Sequence, residues 1–298
     1  MFKDHLLHSK KKITYAQNRE DLILEAFFPD IKKGTYVDVG GYDPDEDSVT
    51  KLFYLKGWSG INIEPQEQGY RRFVSKRKRD INLQYGVGIK PGRLTLRVYR
   101  SGGLSTFSDE IKNQYSERDN NDTAEYEDKV VQVKTLKNIL DECNIRQKIN
   151  FMKIDVEGYE YEVIQGNDWA KYRPDVLCIE SNHILKDWRP TLEKHNYVKM
   201  FFDGINDYYV QKDSDAAKNF DFSEHVLIKK GGGVRYDDYV AMVKMNNTIE
   251  EYHTQYLKDV AKVKHLEDEN TKLKETLNSP KALVRRLTAL TLRDKKHG

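Results

Sequence analysis

The sequence predicts an α/β protein with a mainly parallel sheet, an antiparallel sheet edge and a C-terminal coiled-coil helix. Three observations carry this. Short β-branched and aromatic runs alternate with amphipathic helical segments from residue 18 to residue 180, as in strand–helix–strand units. Tyr197 to Phe202 and Tyr208 to Val210 flank Asp203-Gly204-Ile205-Asn206 and read as a terminal antiparallel hairpin. From Tyr239 to Leu277 there is neither proline nor glycine, and apolar residues recur every seven positions.

The elements follow in order. Asn18 to Phe28 is expected to be a helix capped by Asn18, with Asp21 in its first turn and Leu22, Leu24, Phe27 and Phe28 on its apolar face. Thr35 to Val39 is a strand, closed by Gly40-Gly41. Ser48 to Leu55 is helical, Ile61 to Ile63 is a strand stopped by Glu64-Pro65, and Gln66 to Ser75 is helical. Asn82 to Val87 reads as one strand and Arg93 to Tyr99 as an extra one. Residues 100–129 are polar and suggest either a lid or a disordered loop. Val130 to Val133, Asn150 to Val156 and Asp175 to Glu180 are strands. Helices are expected at Thr135 to Cys143 and from Tyr159 onward. Gly231-Gly232-Gly233 marks a flexible joint. Beyond it, Met242, Ile249, Tyr256, Val263, Asn270 and Leu277 form one heptad series, and Met245, Tyr252, Asp259, Leu266 and Leu273 the other. A helix carrying such a stripe needs a partner, and self-association is expected. Ser279-Pro280 ends it. Leu283, Val284, Leu287, Leu290 and Leu292 interleave with Lys281, Arg285, Arg286 and Arg293, a pattern suited to a membrane surface or a docking protein.

Composition narrows the class. Of 298 residues, 38% are hydrophobic and 33% charged, which suits a large solvated surface or an extended charged helix. Cys143 and Cys178 are the only cysteines, so a disulfide framework or a cysteine zinc site is disfavoured and a reducing compartment expected. No run is long and apolar enough for a membrane span or a signal peptide, and the cytoplasm is the expected location. The formal net charge is +2, and the basic clusters at Lys10 to Lys12, Lys76 to Arg79 and Arg285 to Lys296 read as solvated surface. Nucleic acid is a disfavoured partner.

Ligands of open α/β sheets lie beyond the carboxyl ends of the strands. Val37-Asp38-Val39-Gly40-Gly41 ends one such strand, and it continues Tyr42-Asp43-Pro44-Asp45-Glu46-Asp47. Carboxylates crowd the place where a pyrophosphate would need neutralising, which argues against a dinucleotide and for a ligand with a positive centre, such as the sulfonium of S-adenosylmethionine. Glu64 can accept hydrogen bonds from ribose hydroxyls, and Asn82 can contact adenine or cap a turn. Lys153-Ile154-Asp155-Val156-Glu157-Gly158-Tyr159-Glu160 brings three further carboxylates and a lysine to the same rim. Asp155 could orient cofactor or acceptor, bind a divalent ion, or take the acceptor proton. Glu180 and His183 end the next strand, and His183 is a candidate base for a hydroxyl acceptor. Asp155 with Glu180 or Asn182 could instead hold one Mg2+ through oxygen ligands.

These residues resemble the FkbM-type branch of the class I S-adenosylmethionine-dependent methyltransferases. The resemblance runs through Val37-Asp38-Val39-Gly40, Ser48-Val49-Thr50, Gly57-Trp58-Ser59-Gly60-Ile61-Asn62-Ile63-Glu64-Pro65, Asp80-Ile81-Asn82-Leu83, Gly103-Leu104-Ser105-Thr106, the Lys153 to Glu160 segment and Phe202-Asp203-Gly204-Ile205-Asn206. It implies a Rossmann-like sheet of about seven strands. It implies cofactor contacts from Asp38, Gly40 and Glu64, with Asn82 near the adenosine, and a pocket or lid at Gly103 to Thr106, where Ser105 and Thr106 are candidate substrate contacts; Gly41, Tyr42 and Ser48 are further candidates at the cofactor edge. Asp155 and the turn from Glu157 to Glu160 would face the reaction centre; the residues themselves, apart from the resemblance, make Lys153, Glu180 and His183 catalytic candidates beside it. The departure is Gly41-Tyr42, where an Ala-Asn type pair is usual. The activity implied is O-methylation of a sugar or another small hydroxyl-bearing acceptor. The domain organisation expected is a helical extension at 1–33, a methyltransferase domain at 34–230, a linker at 231–238, a coiled coil at 239–278 and a basic amphipathic tail at 279–298.

Overall fold

The expected strands pair into one seven-stranded sheet with a smaller three-stranded sheet beside it. The computed structural model describes residues 14–100, 102–117 and 121–219, and helical residues at 262–263, 265–272, 274 and 284–285. In chain order the strands are β1 (Thr35–Val39), β2 (Ser59–Ile63), β3 (Ile81–Leu83), β4 (Gly86–Val87), β5 (Gly92–Tyr99), β6 (Tyr126–Lys134), β7 (Phe151–Ile154), β8 (Val176–Glu180), β9 (Tyr197–Phe202) and β10 (Asn206–Gln211). The helices are α1 (Glu20–Phe27), α2 (Lys51–Leu55), α3 (Glu67–Lys76), α4 (Asp109–Ser116), α5 (Asn121–Ala124), α6 (Leu136–Glu142), α7 (Glu160–Gln165), α8 (Arg189–Lys194) and α9 (Asp215–Asn219).

The large sheet has the order β3-β2-β1-β7-β8-β10-β9. Its first five strands run parallel, and β10 is antiparallel to both β8 and β9. Alternation along each strand buries both faces. Val37, Val39, Ile61, Ile63, Met152, Ile154, Leu177 and Ile179 enter one core, under α6, α7 and α8. Tyr36, Phe151, Val176, Cys178, Tyr208 and Val210 enter the other, with Ile23, Leu24 and Phe27 of α1, Phe53 of α2 and Ala216 of α9. The second core is aromatic. Phe53, Trp58 and Tyr36 all pack on Phe151 at centroid distances of 4.6 to 6.1 Å, and each buried ring of this size contributes a few kcal/mol, about 1.5–3, through area removed from water.

Three expectations change at this level. The first concerns α1, placed by the sequence in an extension but built into the second core. Asn18 does not cap it. Arg19 takes the cap position with a φ of 65°, while Asn18 donates its backbone N–H to Glu20 Oε2 (2.8 Å) and its amide to the Asp203 carbonyl (3.1 Å). The second is the single strand expected at Asn82 to Val87, which is divided. β3 pairs with β2 in the large sheet, and β4 crosses to pair with β6 in the small one. The third is the polar stretch 100–129. It carries α4, α5 and the start of a long β6 that pairs along the whole of β5. Ile111 and Tyr115 anchor it against Tyr99.

Glu20 gives the fold a pH dependence. It is 4% exposed, and burial, reinforced by Asp203, pushes its carboxyl up to about 7. An acid whose folded pKa lies above its unfolded one binds extra protons in the native state. The contribution of Glu20 to stability therefore falls as pH rises from about 4.5 to about 7 and is flat above that. The expected size is up to about 3 kcal/mol for this group. Thermal melts from pH 5 to 8 should show a decline to which Glu64 and Glu160 also contribute, and Glu20→Gln should make it shallower, whatever its effect on the absolute melting temperature.

The chain divides into two compact units, Met1–Met242 and Val243–Gly298. In the second, Val263 and Leu266 are helical and more than half exposed, and Asn270 is helical and exposed. The other heptad positions lie outside the described residues. Among the described residues, no helix is long and apolar enough to cross a membrane. Cys143 and Cys178 are both free thiols.

Candidate active site

The strand order reverses between β1 and β7, and crevices for ligands in open α/β sheets open at such a point. Gly40 leaves β1 there with a φ of 78°. A Cβ at Gly40 would stand 1.8 Å from the Asp155 carbonyl oxygen, so the two strand ends approach more closely than any side chain allows. Gly40 and Gly41 donate their N–H groups to the Ile63 carbonyl (2.9 and 3.3 Å). Tyr42 is held in the left-handed region (φ 54°), and its N–H donates to Glu64 Oε2 (2.8 Å). The other Glu64 oxygen accepts from Gln66 N–H (2.7 Å). Glu64 is buried, and burial pushes its carboxyl up to about 7 against these two bonds. Each oxygen keeps a lone pair for a further donor.

A cavity of about 250 Å³ opens over these residues. Its floor is Gly40, Gly41, Tyr42, Glu64 and Asp155, and its opposite wall is Leu96, Leu104, Ser105 and Phe107 from β5 and the segment after it. The carboxylates of Asp47, Glu64, Asp155 and Glu157 line it against one ammonium, that of Lys153.

That ammonium is already engaged. Lys153 Nζ donates to the Gly40 carbonyl (3.0 Å) and lies 3.1 Å from Asp155 and 3.8 Å from Asp38. Burial works to discharge it, but Asp155 and Asp38 outweigh burial and raise its pKa. Asp38 is 1% exposed, accepts from the Thr50 hydroxyl (3.0 Å) and keeps one oxygen without a hydrogen bond. Burial raises its pKa in turn.

Beyond β7 the chain turns through Glu157 (φ 52°) and Gly158 (φ 86°). Thr106 donates its hydroxyl to the Glu157 carbonyl (2.6 Å), and Glu160 Oε1 accepts from the N–H groups of Val156 and Gly158 (3.0 and 3.1 Å). Tyr115 donates to Glu157 Oε2 (2.9 Å) and lies 3.3 Å from His183 Nε2. Glu180 accepts from the Asn182 amide (3.2 Å) through one oxygen. Burial, then Asp155, Glu157 and Glu160, hold its carboxyl well above the ordinary range. A second cavity of about 450 Å³ lies past this turn, between α4, α7 and the loop that carries His183, Lys186 and Trp188. It is the larger of the two by volume, but the strand-end chemistry lies in the smaller.

The methyltransferase FkbM domain matches residues 38–199, more than half of the chain and all but one of the residues lining the strand-end cavity. The chain belongs to the FkbM methyltransferase family. This FkbM-family chain is classed thereby with the S-adenosylmethionine-dependent methyltransferases. A crystal structure of methyltransferase FkbM from Methylobacillus flagellatus KT is similar at 15% sequence identity and a TM-score of 0.41, covering 66% of this chain and 48% of that one. The chain thus spans about half the length of that protein. No curated protein matches it.

The FkbM-family chain sorts the expected site residues into two groups. Gly40, Gly41, Tyr42, Glu64, Lys153, Asp155, Glu157 and Ser105 line the strand-end cavity. The others lie elsewhere. Ser48 is buried and its hydroxyl accepts from Arg77 (2.9 Å), so it braces the loop rather than the ligand. Asn82 accepts from the Asn62 amide (2.8 Å) and donates to the Arg77 carbonyl (3.0 Å), and its side chain is spent joining β2 to the turn before β3. Thr106 is fully buried and pins Glu157. Glu160 closes its own turn, and burial pushes it up to about 8. His183 lines the larger cavity. Of the oxygen set Asp155, Glu180 and Asn182, Glu180 accepts from the Asn182 amide (3.2 Å) and feels the charge of Asp155. Asp155 faces Lys153, while Glu180 groups with Glu157 and His183.

Two residues with clear roles escape a sequence reading. Arg77 sits in the basic run Lys76 to Arg79 yet is 2% exposed, donating to Pro44 O (2.5 Å), Ser48 Oγ (2.9 Å) and Thr50 O (3.3 Å). Tyr115, inside the polar stretch, reaches both Glu157 and His183. Only the interruption of polar sequence by Ile111 and Tyr115 at helical spacing hinted at it.

Proposed function

We propose that the chain methylates a hydroxyl of a sugar, in the assembly of a cell-surface or secreted polysaccharide. The observation that carries the reading is the strand-end cavity. Four carboxylates surround it and its one ammonium is paired, which favours a ligand with a cationic centre and disfavours a pyrophosphate. The fit to S-adenosylmethionine rests on Glu64, whose two oxygens can each accept one ribose hydroxyl, and on the Gly40-Gly41 turn that lines the cavity beside it. When bound, that cofactor supplies an electrophilic methyl group on a sulfonium.

The chain's own part is alignment and proton removal. Lys153 fixes the Gly40 carbonyl and the Asp155 carboxylate on opposite sides of the crevice. Asp155 faces the cavity as an acceptor for the proton leaving an attacking hydroxyl, with Glu157 beside it. The paired use of Arg77 and the stacking of Arg79 on Tyr54 (4.0 Å) remove two cations from a nucleic-acid-binding surface. That favours a glycan or small hydroxyl-bearing acceptor.

Labelled methyl donor offered with candidate glycans, small alcohols and RNA tests this. Label on glycan, lost in Asp155→Ala, is expected. Label on small natural-product hydroxyls moves the acceptor class, and label on RNA or protein with glycans untouched overturns the reading.

The C-terminal segment fits a placing role: self-association through residues 239–278, and docking to a partner protein or the cytoplasmic face of a membrane through residues 281–296. Truncation after Gly233 should lower the mass measured by light scattering to that of a single chain and leave cofactor affinity unchanged. An unaltered oligomeric state would sink the heptad reading.

A further inference from the structure

We propose that Glu157, Glu180 and His183 form a divalent-cation site in the wall between the two cavities. One ligand atom from each lies within 4.8 Å of the others. The His183 Nε2 to Glu157 Oε2 distance is 3.8 Å, too long for a hydrogen bond. Two donors sharing one ion at about 2.1 Å stand roughly 3 to 4 Å apart, so little movement is needed to close the set.

The independent observation is Glu180. Glu180 is 6% exposed, and one carboxylate oxygen has no hydrogen-bond partner. A buried carboxylate half satisfied is costly unless it is protonated or met by a cation. Asp155, Glu157 and Glu160 all press against its charge, and the ammonium of Lys153 is committed to Asp155 and Gly40. A proton on Glu180 would relieve the charge but leaves the convergence of an imidazole and a second carboxylate unexplained. A cation accounts for all three.

The donor set selects among ions. One imidazole nitrogen with two carboxylates suits Mn2+, Fe2+ or Zn2+ better than Mg2+ or Ca2+, which prefer oxygen alone. The Tyr115 hydroxyl donates to Glu157 Oε2 (2.9 Å) and lies 3.3 Å from His183 Nε2, the two atoms that face each other at 3.8 Å, so an ion bound there takes the place of the Tyr115 contact to His183. Glu157 lines the strand-end cavity and His183 the larger one. The use of the ion in activating an acceptor hydroxyl rests on the methyl-transfer reading; its binding does not.

The test is direct. Untagged, metal-stripped full-length protein is titrated with Mn2+ without any methyl donor, and free Mn2+ is read by electron paramagnetic resonance. One Mn2+ per chain is expected, weakened at least tenfold in Glu180→Gln and in His183→Ala, and unchanged in Asp109→Asn. With Co2+, the visible band should change on His183→Ala. Absence of stoichiometric binding, or equal affinity in both ligand variants with circular dichroism unaltered, overturns the site. If Glu180→Gln does not fold, Glu157→Gln and His183→Ala decide. A chain that binds Mn2+ in this way yet transfers no methyl group would retire the methyl-transfer reading and keep the metal site.

Discussion

Replacing Gly40 by alanine is expected to lower the melting temperature by roughly 10 °C and to weaken binding of S-adenosylhomocysteine more than a hundredfold. Two costs add. A side chain at a φ of 78° is strained by about 1–2 kcal/mol. The new Cβ would also meet the Asp155 carbonyl at 1.8 Å, a backbone atom that cannot swing away. Asp155 N–H is bonded to the Val39 carbonyl (3.0 Å), so relief requires parting β1 from β7. A total of about 3 kcal/mol corresponds to the stated shift for a domain of this size. Gly57 provides the control. Its φ is 91°, but nothing lies within 4 Å of a Cβ there, so Gly57→Ala should cost only the conformational part and leave the cofactor site intact. Calorimetry on both variants separates the two costs, and equal losses would refute the close-approach argument.

Lys153→Met should be the most damaging change among the charged residues of the site. It strips the counter-charge from Asp38, which is 1% exposed with one oxygen lacking a hydrogen bond. Leaving one partner of a buried ion pair typically costs about 3–5 kcal/mol. The loss carries a pH signature. Burial already raises the Asp38 pKa, and removing Lys153 raises it further. The penalty is then absent where Asp38 is protonated in both folded and unfolded chains, and it grows as pH rises through the folded pKa. Urea denaturation should show a larger deficit at pH 8 than at pH 5. Asp38→Asn in the Lys153→Met background should recover part of it at pH 8, and no recovery would mean that Asp38 is not the residue left exposed to the cost.

The parts of this molecule that sequence makes legible are those where one residue's job depends on its near neighbours. Strand ends at Val39, Ile63, Ile154 and Glu180 could be placed to within a residue or two, because β-branched runs stop at glycine or a charge. Glu64 and Asp155 could be assigned to the ligand edge for the same reason: each follows a strand that the alternation orders into a parallel sheet. What was not legible depends on distant partners. Ser48 and Asn82 look equally fit for a cofactor, and only the fold shows that Arg77 and Asn62 claim them. Arg77 itself looks like surface charge among its basic neighbours, since nothing local reveals that the Pro44 to Thr50 loop closes over it. The split of the strand expected at Asn82 to Val87 is likewise decided elsewhere, by β6 offering β4 a partner in another sheet.

The hairpin of β5 and β6 has a consequence for how such a chain can change. The floor of the strand-end cavity is written in residues 40–66 and 153–157, and the facing wall in residues 96–107. Thr106 bonded to the Glu157 carbonyl and Tyr115 bonded to the Glu157 carboxylate join the hairpin side to the floor. Insertions, deletions or exchanges in the wall that spare Thr106 and Tyr115 remodel one side of the chamber and leave these two bonds as they were. The two halves can drift at different rates, so descendants of one ancestor can keep a common floor while the chamber above it diverges in shape.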